Sequence, residues 1–231
     1  MVQVNNTPIT LRVKFYKIGN LQYISHLDLV RTMMKVIVRA KLPLWYTEGF
    51  NPKPKLTFAA PLSIGTESMC EFMDIRLTER ISETDAVRSL NLNMTSEMQA
   101  VEAYYPDEKM TALKWLGYEI TISDVNASDE LAEACDRALS APELPILKKT
   151  KSGEAMVDIK PLIKSSCADF KDGKIVISCV LSADSSSFLN PEYVVKVLQS
   201  QCAILSCEDL TQESYTIMRT SAHREDMTAF R

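Results

Sequence analysis

Two hydrophobic periods alternate along this chain in a fixed order, and that order constrains the fold more than any single motif. Residues 11–18, LRVKFYKI, repeat every second position: Leu11, Val13 and Phe15 share one side, Arg12, Lys14 and Tyr16 the other. That is the pattern of a half-buried strand. Gly19-Asn20 supplies a turn. Ser25 then opens a helix to about Lys41, with Ser25 and Asp28 in an S-x-x-D capping pattern and Leu27, Val30, Met34 and Ile37 as its apolar stripe. Residues 54–62 and 69–77 read as strands joined across Ser63–Thr66. Ser82 caps a second helix, and residues 98–105 are a fourth strand. The order β-α-β-β-α-β is that of ferredoxin-like domains.

Beyond a polar connection at 106–114 the order repeats. Residues 115–123 form a strand, Ser128 starts a helix to about Leu139, and 144–150 and 174–182 are extended and read as the two central strands. Asn190-Pro191 starts another helix, with Pro191 placed where its missing N–H does no harm, and 213–220 closes the series. Between the central strands, 151–173 holds turns and a short element around 159–166. The tail 221–231 is expected to extend the last strand or fray. The expected fold is therefore α+β, as two ferredoxin-like halves packed together, 1–106 and 114–231; a single larger domain is the alternative.

Several function classes drop out early. No apolar run is long enough to span a bilayer, and residues 1–10 lack the basic n-region and apolar core of a signal peptide, so a cytoplasmic protein is expected. The six cysteines form no C-x-x-C pair, and His26 and His223 lie far from any cysteine cluster, so no metal site is expected. No phosphate-loop, G-x-G-x-x-G or H-E-x-x-H pattern occurs, and no cofactor is implied. The serines of 183–189 have no base spaced to activate them and read as a polar linker.

Charge is unevenly spread. Residues 1–60 carry nine Lys and Arg against two Asp and Glu, a net +7 on a chain of net −4, which leaves −11 for the rest. A basic section on an acidic chain suits a polyanion, or else the two parts neutralise one another on folding. Arg31, Lys35 and Arg39 recur every four residues and share one helix face. Arg12, Lys14 and Tyr16, with Phe72 and Arg76 on a later strand, form a basic and aromatic sheet face that either resembles the one RNA-recognition modules use, without their consensus motif, or packs on the second half of the chain. His26 sits at a helix start, where the dipole disfavours the imidazolium; it is either structural or a base or hydrogen-bonding group near an anion. Glu71 falls among apolar residues at period two and needs a partner there. In EGFNPKPKLTF, residues 48–58, Pro52 and Pro54 remove donors from an edge. Lys53 and Lys55 alternate on one side of it, and Phe50 is left unexplained.

These stretches also carry a resemblance. Lys17 to Gly19, the S-H-L-D-L-x-R run at Ser25 to Arg31, G-F-N-P-x-P-K at Gly49 to Lys55 and P-L-x-x-G-x-x-S at Pro61 to Ser68 resemble the radical SAM-linked bacterial proteins. That family's domain of unknown function occurs beside or fused to B12-binding radical SAM proteins. Lys53 stands where histidine is common in the family. The resemblance implies a radical SAM protein as partner. The chain itself lacks the C-x-x-x-C-x-x-C spacing of a radical SAM catalyst.

The function expected from these observations is a non-catalytic accessory module that binds RNA, tRNA or rRNA, through a basic N-terminal surface. Its candidate residues are His26, Arg31, Lys35, Lys53 and Lys55 for anions, and Tyr16 and Phe50 for stacking. One alternative is a protein adaptor that docks on a radical SAM enzyme around Phe50 and Trp45. A further alternative is an RNA-processing enzyme with His26 as base and Lys53 or Lys55 stabilising the anion.

Overall fold

The computed structural model describes residues 7–150, 153–184, 186–209 and 211–231. Residues 1–6, part of the stretch read against a signal peptide, and Ser185 of the serine-rich linker lie outside them. The chain divides into two compact units, 1–112 with Arg231, and 113–230. The fold is α+β with antiparallel strand pairing.

The first unit contains β1 (Ile9–Lys17), α1 (His26–Arg39), β2 (Leu56–Phe58), β3 (Thr66–Leu77), α2 (Glu83–Asn91) and β4 (Ala100–Tyr104). Its strands lie in the order β4-β1-β3-β2, with Val13 opposite Met73 and Ala103 and Phe58 also opposite Met73. Leu11, Val13, Phe15, Met73, Ile75 and Leu77 form one buried core with Leu29, Met33, Val36 and Ile37 of α1 and Leu90 of α2. The stripe of α1 is thus rotated from the expected one: Leu29 and Met33 are buried, whereas Leu27 is exposed. The strand expected over 54–62 is three residues long, Leu56–Phe58, and Pro54 is engaged differently, as described below.

The other face of this sheet, read as a platform or as a packed face, is covered at Arg12 and Phe72, while Lys14, Tyr16 and Arg76 stay partly exposed. Arg12 is fully buried and Phe72 nearly so. Arg12 Nε and Nη2 grip Asp74 at 2.8 and 3.0 Å, while Nη1 and Nη2 donate to the carbonyls of Arg231 and Glu108. Arg231 in turn pairs with Glu102 at 2.5 Å and lies over the Tyr104 ring. Opposite charges and carbonyls satisfy the guanidinium, so its burial is tolerated.

The second unit contains β5 (Trp115–Ser123), α3 (Asp129–Leu139), β6 (Pro145–Thr150), β7 (Gly153–Asp158), β8 (Ile163–Lys171), β9 (Lys174–Ser182), α4 (Glu192–Cys202) and β10 (Ser214–His223). Ser128 caps α3 by accepting from the Leu131 N–H. Its strands run β10-β5-β9-β8, and β6 pairs with β7 in a separate two-stranded sheet. Residues 144–150 are therefore not a central strand; β8 takes that place beside β9. The tail does not fray. The backbone turns after β10, His223 bridges Ala229, and Phe230 is buried.

Candidate nucleic-acid interface

The site is built on α1 and on the segment between it and β2. Lys17 and Gly19 prepare the helix. Lys17 is buried and its ammonium donates to the Leu21 carbonyl at 2.9 Å. Gly19 has φ +63°, and a Cβ there would lie 2.5 Å from Glu97 Oε1, so only glycine fits. At the helix start Ser25 Oγ accepts from the Asp28 N–H at 3.1 Å and donates to its carboxylate at 2.7 Å. Arg31 adds an exposed ion pair to Asp28 at 3.2 Å. The Ser25 bond, then Arg31, hold the Asp28 carboxyl below its ordinary pKa.

His26 is exposed and stands edge-on to Phe58, with ring centroids 5.3 Å apart. Phe58 meets Phe15 in the same edge-to-face manner at 6.2 Å, a preferred aromatic geometry. The imidazole thus extends the core edge, and among the described residues it has no hydrogen-bond partner. Glu71 is buried on β3, opposite Phe15.

Residues 44–55 form a short arm. Trp45 N–H donates to Arg76 O and Arg76 N–H to Lys55 O, which ties both legs to β3. Lys55 N–H donates to Trp45 O and Thr47 N–H to Lys53 O, so the legs are laced together. Lys53 N–H also donates to Thr47 Oγ1 at 3.1 Å. Pro54 bridges Tyr46, and its missing N–H leaves no bond unmade. Gly49 takes φ +118° at the turn, and Phe50 stands at the tip.

Pro54 also lines a hollow of about 270 Å³ with Met34, Lys35, Val38 and Arg39 of α1. The arm therefore lies beside the second half of the helix, eight or more residues past His26. At 1.5 Å per residue that is about 12 Å along the axis. Lys35 and Arg39 line this hollow, Lys53 and Lys55 flank Pro54 on the arm, and all four are exposed. Lys55 reaches back over the Trp45 ring at 5.6 Å. Lys35, Arg39 and Lys53 have no ion-pair partner among the described residues. Tyr16 lies apart, on β1, with its hydroxyl donating to Ser96 O at 3.1 Å. Nothing in the residue spacing signals that Pro54 meets α1; period-two alternation describes the arm but not what it leans on.

Among the described residues no group of three or more His, Cys, Asp or Glu side chains is arranged to hold a metal ion. No described helix is long and apolar enough to cross a membrane. Of the cysteines, Cys70, Cys135 and Cys179 are buried and Cys167 is exposed. Burial pushes the Cys135 and Cys179 thiols up to about 12.

A family model described as an uncharacterized protein conserved in bacteria (DUF2344) matches residues 10–191. The chain belongs to the DUF2344 family. Its match takes in β1, α1, the arm and all of the first unit's sheet. No curated protein matches the DUF2344 chain. Among solved structures it is similar to a chain in the crystal structure of a Cbf5-Nop10-Gar1 complex, with TM-score 0.50 and 8% identity over 94% of this chain and 50% of that one. It thus spans half the length of that chain, and the likeness is one of fold. Matches to an unknown protein from Galdieria sulphuraria (9% identity, 92% and 99% covered, TM-score 0.26) and to DypB N246A in complex with manganese (10%, 94% and 96%, 0.22) are too distant to carry an argument.

Proposed function

We propose that this DUF2344 protein is a non-catalytic accessory module that binds RNA through the surface of α1 and the arm, in a system with a radical SAM protein. The observation that carries the reading is the seating of Pro54 beside Lys35 and Arg39. It brings the arm that carries the exposed Lys53, Lys55 and Phe50 against the helix that carries the exposed Lys35 and Arg39. Phosphates are bound by such groups through charge and counterion release. The sheet face of the same unit is closed over Arg12 and takes no part. His26 rests on Phe58 at the start of α1, whereas the hollow beside Pro54 is lined by the second half of the helix. That arrangement favours binding over RNA cleavage.

The radical SAM side of the proposal rests on the motifs at Lys17–Gly19, Ser25–Arg31 and Gly49–Lys55. The adaptor reading is favoured by one observation, the exposure of Phe50 and Tyr46 on the arm. Binding of bulk tRNA and rRNA across a salt series separates the two. The RNA reading expects affinity that falls steeply with salt; no binding at low ionic strength overturns it. Co-purification with a radical SAM protein that survives nuclease and high salt supports the adaptor.

A further inference from the structure

Resting on the RNA reading above, we propose that the arm is a base-stacking finger and that the RNA it takes is unpaired. Phe50 is the most exposed large apolar side chain among the described residues, at 112% relative exposure. A phenyl ring held wholly in water forgoes the burial that stabilises a fold, so local packing does not account for it. Tyr46, 44% exposed, lies further down the same arm.

The arm is built to hold that ring out. Its legs are laced by Thr47 N–H to Lys53 O and Lys55 N–H to Trp45 O, and tied to β3 through Arg76. Pro52 and Pro54 fix two φ angles near the tip, and Pro54 leans on α1. A ring presented on a stiff support loses little freedom on binding, which favours contact.

The chemistry of the neighbours selects the ligand. Lys53 follows three residues after Phe50, exposed and without a carboxylate partner among the described residues, and Lys35 and Arg39 continue the positive surface along α1. A phosphate chain along these cations would place its bases at the level of the tip. In a duplex the base faces are closed by stacking, the deep major groove of A-form RNA does not admit a side chain, and its shallow minor groove offers base edges and hydroxyls but no ring face. In a single strand every base offers a free face, and an aromatic ring takes it without regard to sequence. The surface is therefore matched to unpaired RNA.

The experiment is fluorescence anisotropy at one low salt concentration. It compares an unpaired RNA 12-mer with the same strand annealed to its complement, for the wild type, Phe50→Ala and Phe50→Trp, with co-sedimentation on anionic vesicles alongside. Phe50 is fully exposed, so both variants are expected to fold, and circular dichroism checks it. The expected result is tighter binding of the single strand, a loss of roughly tenfold or more in Phe50→Ala on that strand alone, and retention in Phe50→Trp. Unchanged single-strand affinity in Phe50→Ala overturns the finger and leaves the RNA reading standing. Failure of the wild type to bind either RNA overturns both. Phe50-dependent binding to vesicles without RNA binding also overturns both and assigns the tip to a lipid surface.

Discussion

Arg12 and Asp74 form a two-pronged ion pair across β1 and β3, with N–O distances of 2.8 and 3.0 Å and the Arg12 side chain wholly buried. The pair closes the sheet face that alternation alone leaves open. Removing one member strands the other charge. Arg12→Met is expected to destabilise the protein by about 3–5 kcal/mol. The double variant Arg12→Met with Asp74→Leu is expected to recover most of that loss. It should not recover all of it, because the carbonyls of Glu108 and Arg231 lose their donor. Chemical denaturation of the two single variants and the double gives the coupling directly, and additive losses would show that the pair does not act as a unit.

Tyr104 lies opposite Arg12 on the neighbouring strand, and its hydroxyl is buried with no hydrogen-bond partner among the described residues. Burial pushes its pKa up to about 12. The ring is useful, since Arg231 lies over it at 5.3 Å, but the oxygen is not. Tyr104→Phe keeps the ring and removes an unsatisfied group. Stability is expected to stay level or rise by up to ~1 kcal/mol. A clear drop in the denaturation midpoint would contradict this.

The order of elements was legible because period two and period 3.6 differ sharply and because Ser25, Ser82 and Ser128 mark helix starts. The phase of α1 was not. Leu27, Leu29, Val30, Met33, Met34, Val36, Ile37 and Val38 cover more than half of its circumference, so several stripes fit the spacing and tertiary packing chose Leu29 over Leu27. Alternation likewise cannot say which sheet face is covered; it left the face of Arg12 and Phe72 either free or packed, and both are buried. In the second unit, 144–150 read as a central strand and 151–173 as turns with a short element, so β8 (Ile163–Lys171) was not anticipated; nothing local tells the hairpin strand at 144–150 from a strand of the main sheet. For the candidate site, the cations and Phe50 were visible as residue types. Their assembly depends on Pro54 meeting α1, a contact between segments about 15 residues apart in sequence.

Gly117 sits on β5 opposite Ser221 of β10, at a point where the register of the pair shifts. A Cβ built on Gly117 would lie 2.1 Å from Ser221 Oγ. That oxygen is held by His223 Nε2 at 2.8 Å, so turning it aside breaks a bond. Gly117→Ala is expected to cost about 1–3 kcal/mol as overpacking. Adding Ser221→Ala removes the obstructing oxygen and is expected to restore much of the loss. If the second change gives no recovery in thermal or urea unfolding, the clash is not the cause.

Lys114 and Asp184 meet at 2.5 Å. The Lys114 bond, with the N–H and hydroxyl of Ser186, holds the Asp184 carboxyl well below its ordinary 3.8. A depressed carboxylate stabilises the fold above its unfolded pKa and loses that contribution as pH falls through the folded one. The gap in urea midpoint between wild type and Asp184→Asn should therefore be full at pH 7 and still full near pH 5. It should narrow as pH drops below about 4. A gap that holds constant down to pH 2 would rule out this linkage.

The cations of α1 are not equivalent, and salt dependence can tell them apart. Arg31 is already engaged by Asp28 at 3.2 Å, and Asp28 stays ionised because its pKa is lowered by Ser25 and then Arg31. Lys35 and Arg39 border the hollow beside Pro54 with no carboxylate of their own among the described residues. A cation that neutralises a phosphate of a single strand adds about 0.7 to the magnitude of the slope of log affinity against log salt. Lys35→Gln and Arg39→Gln are each expected to weaken RNA binding and to reduce that slope by about 0.7. Arg31→Gln should change it less, since part of its charge is spent on Asp28. Asp28→Asn removes that competitor, and with it Arg31 is expected to gain a phosphate contact and steepen the slope. An equal effect from Arg31→Gln and Lys35→Gln would place the RNA over the start of the helix, near His26, and away from the arm.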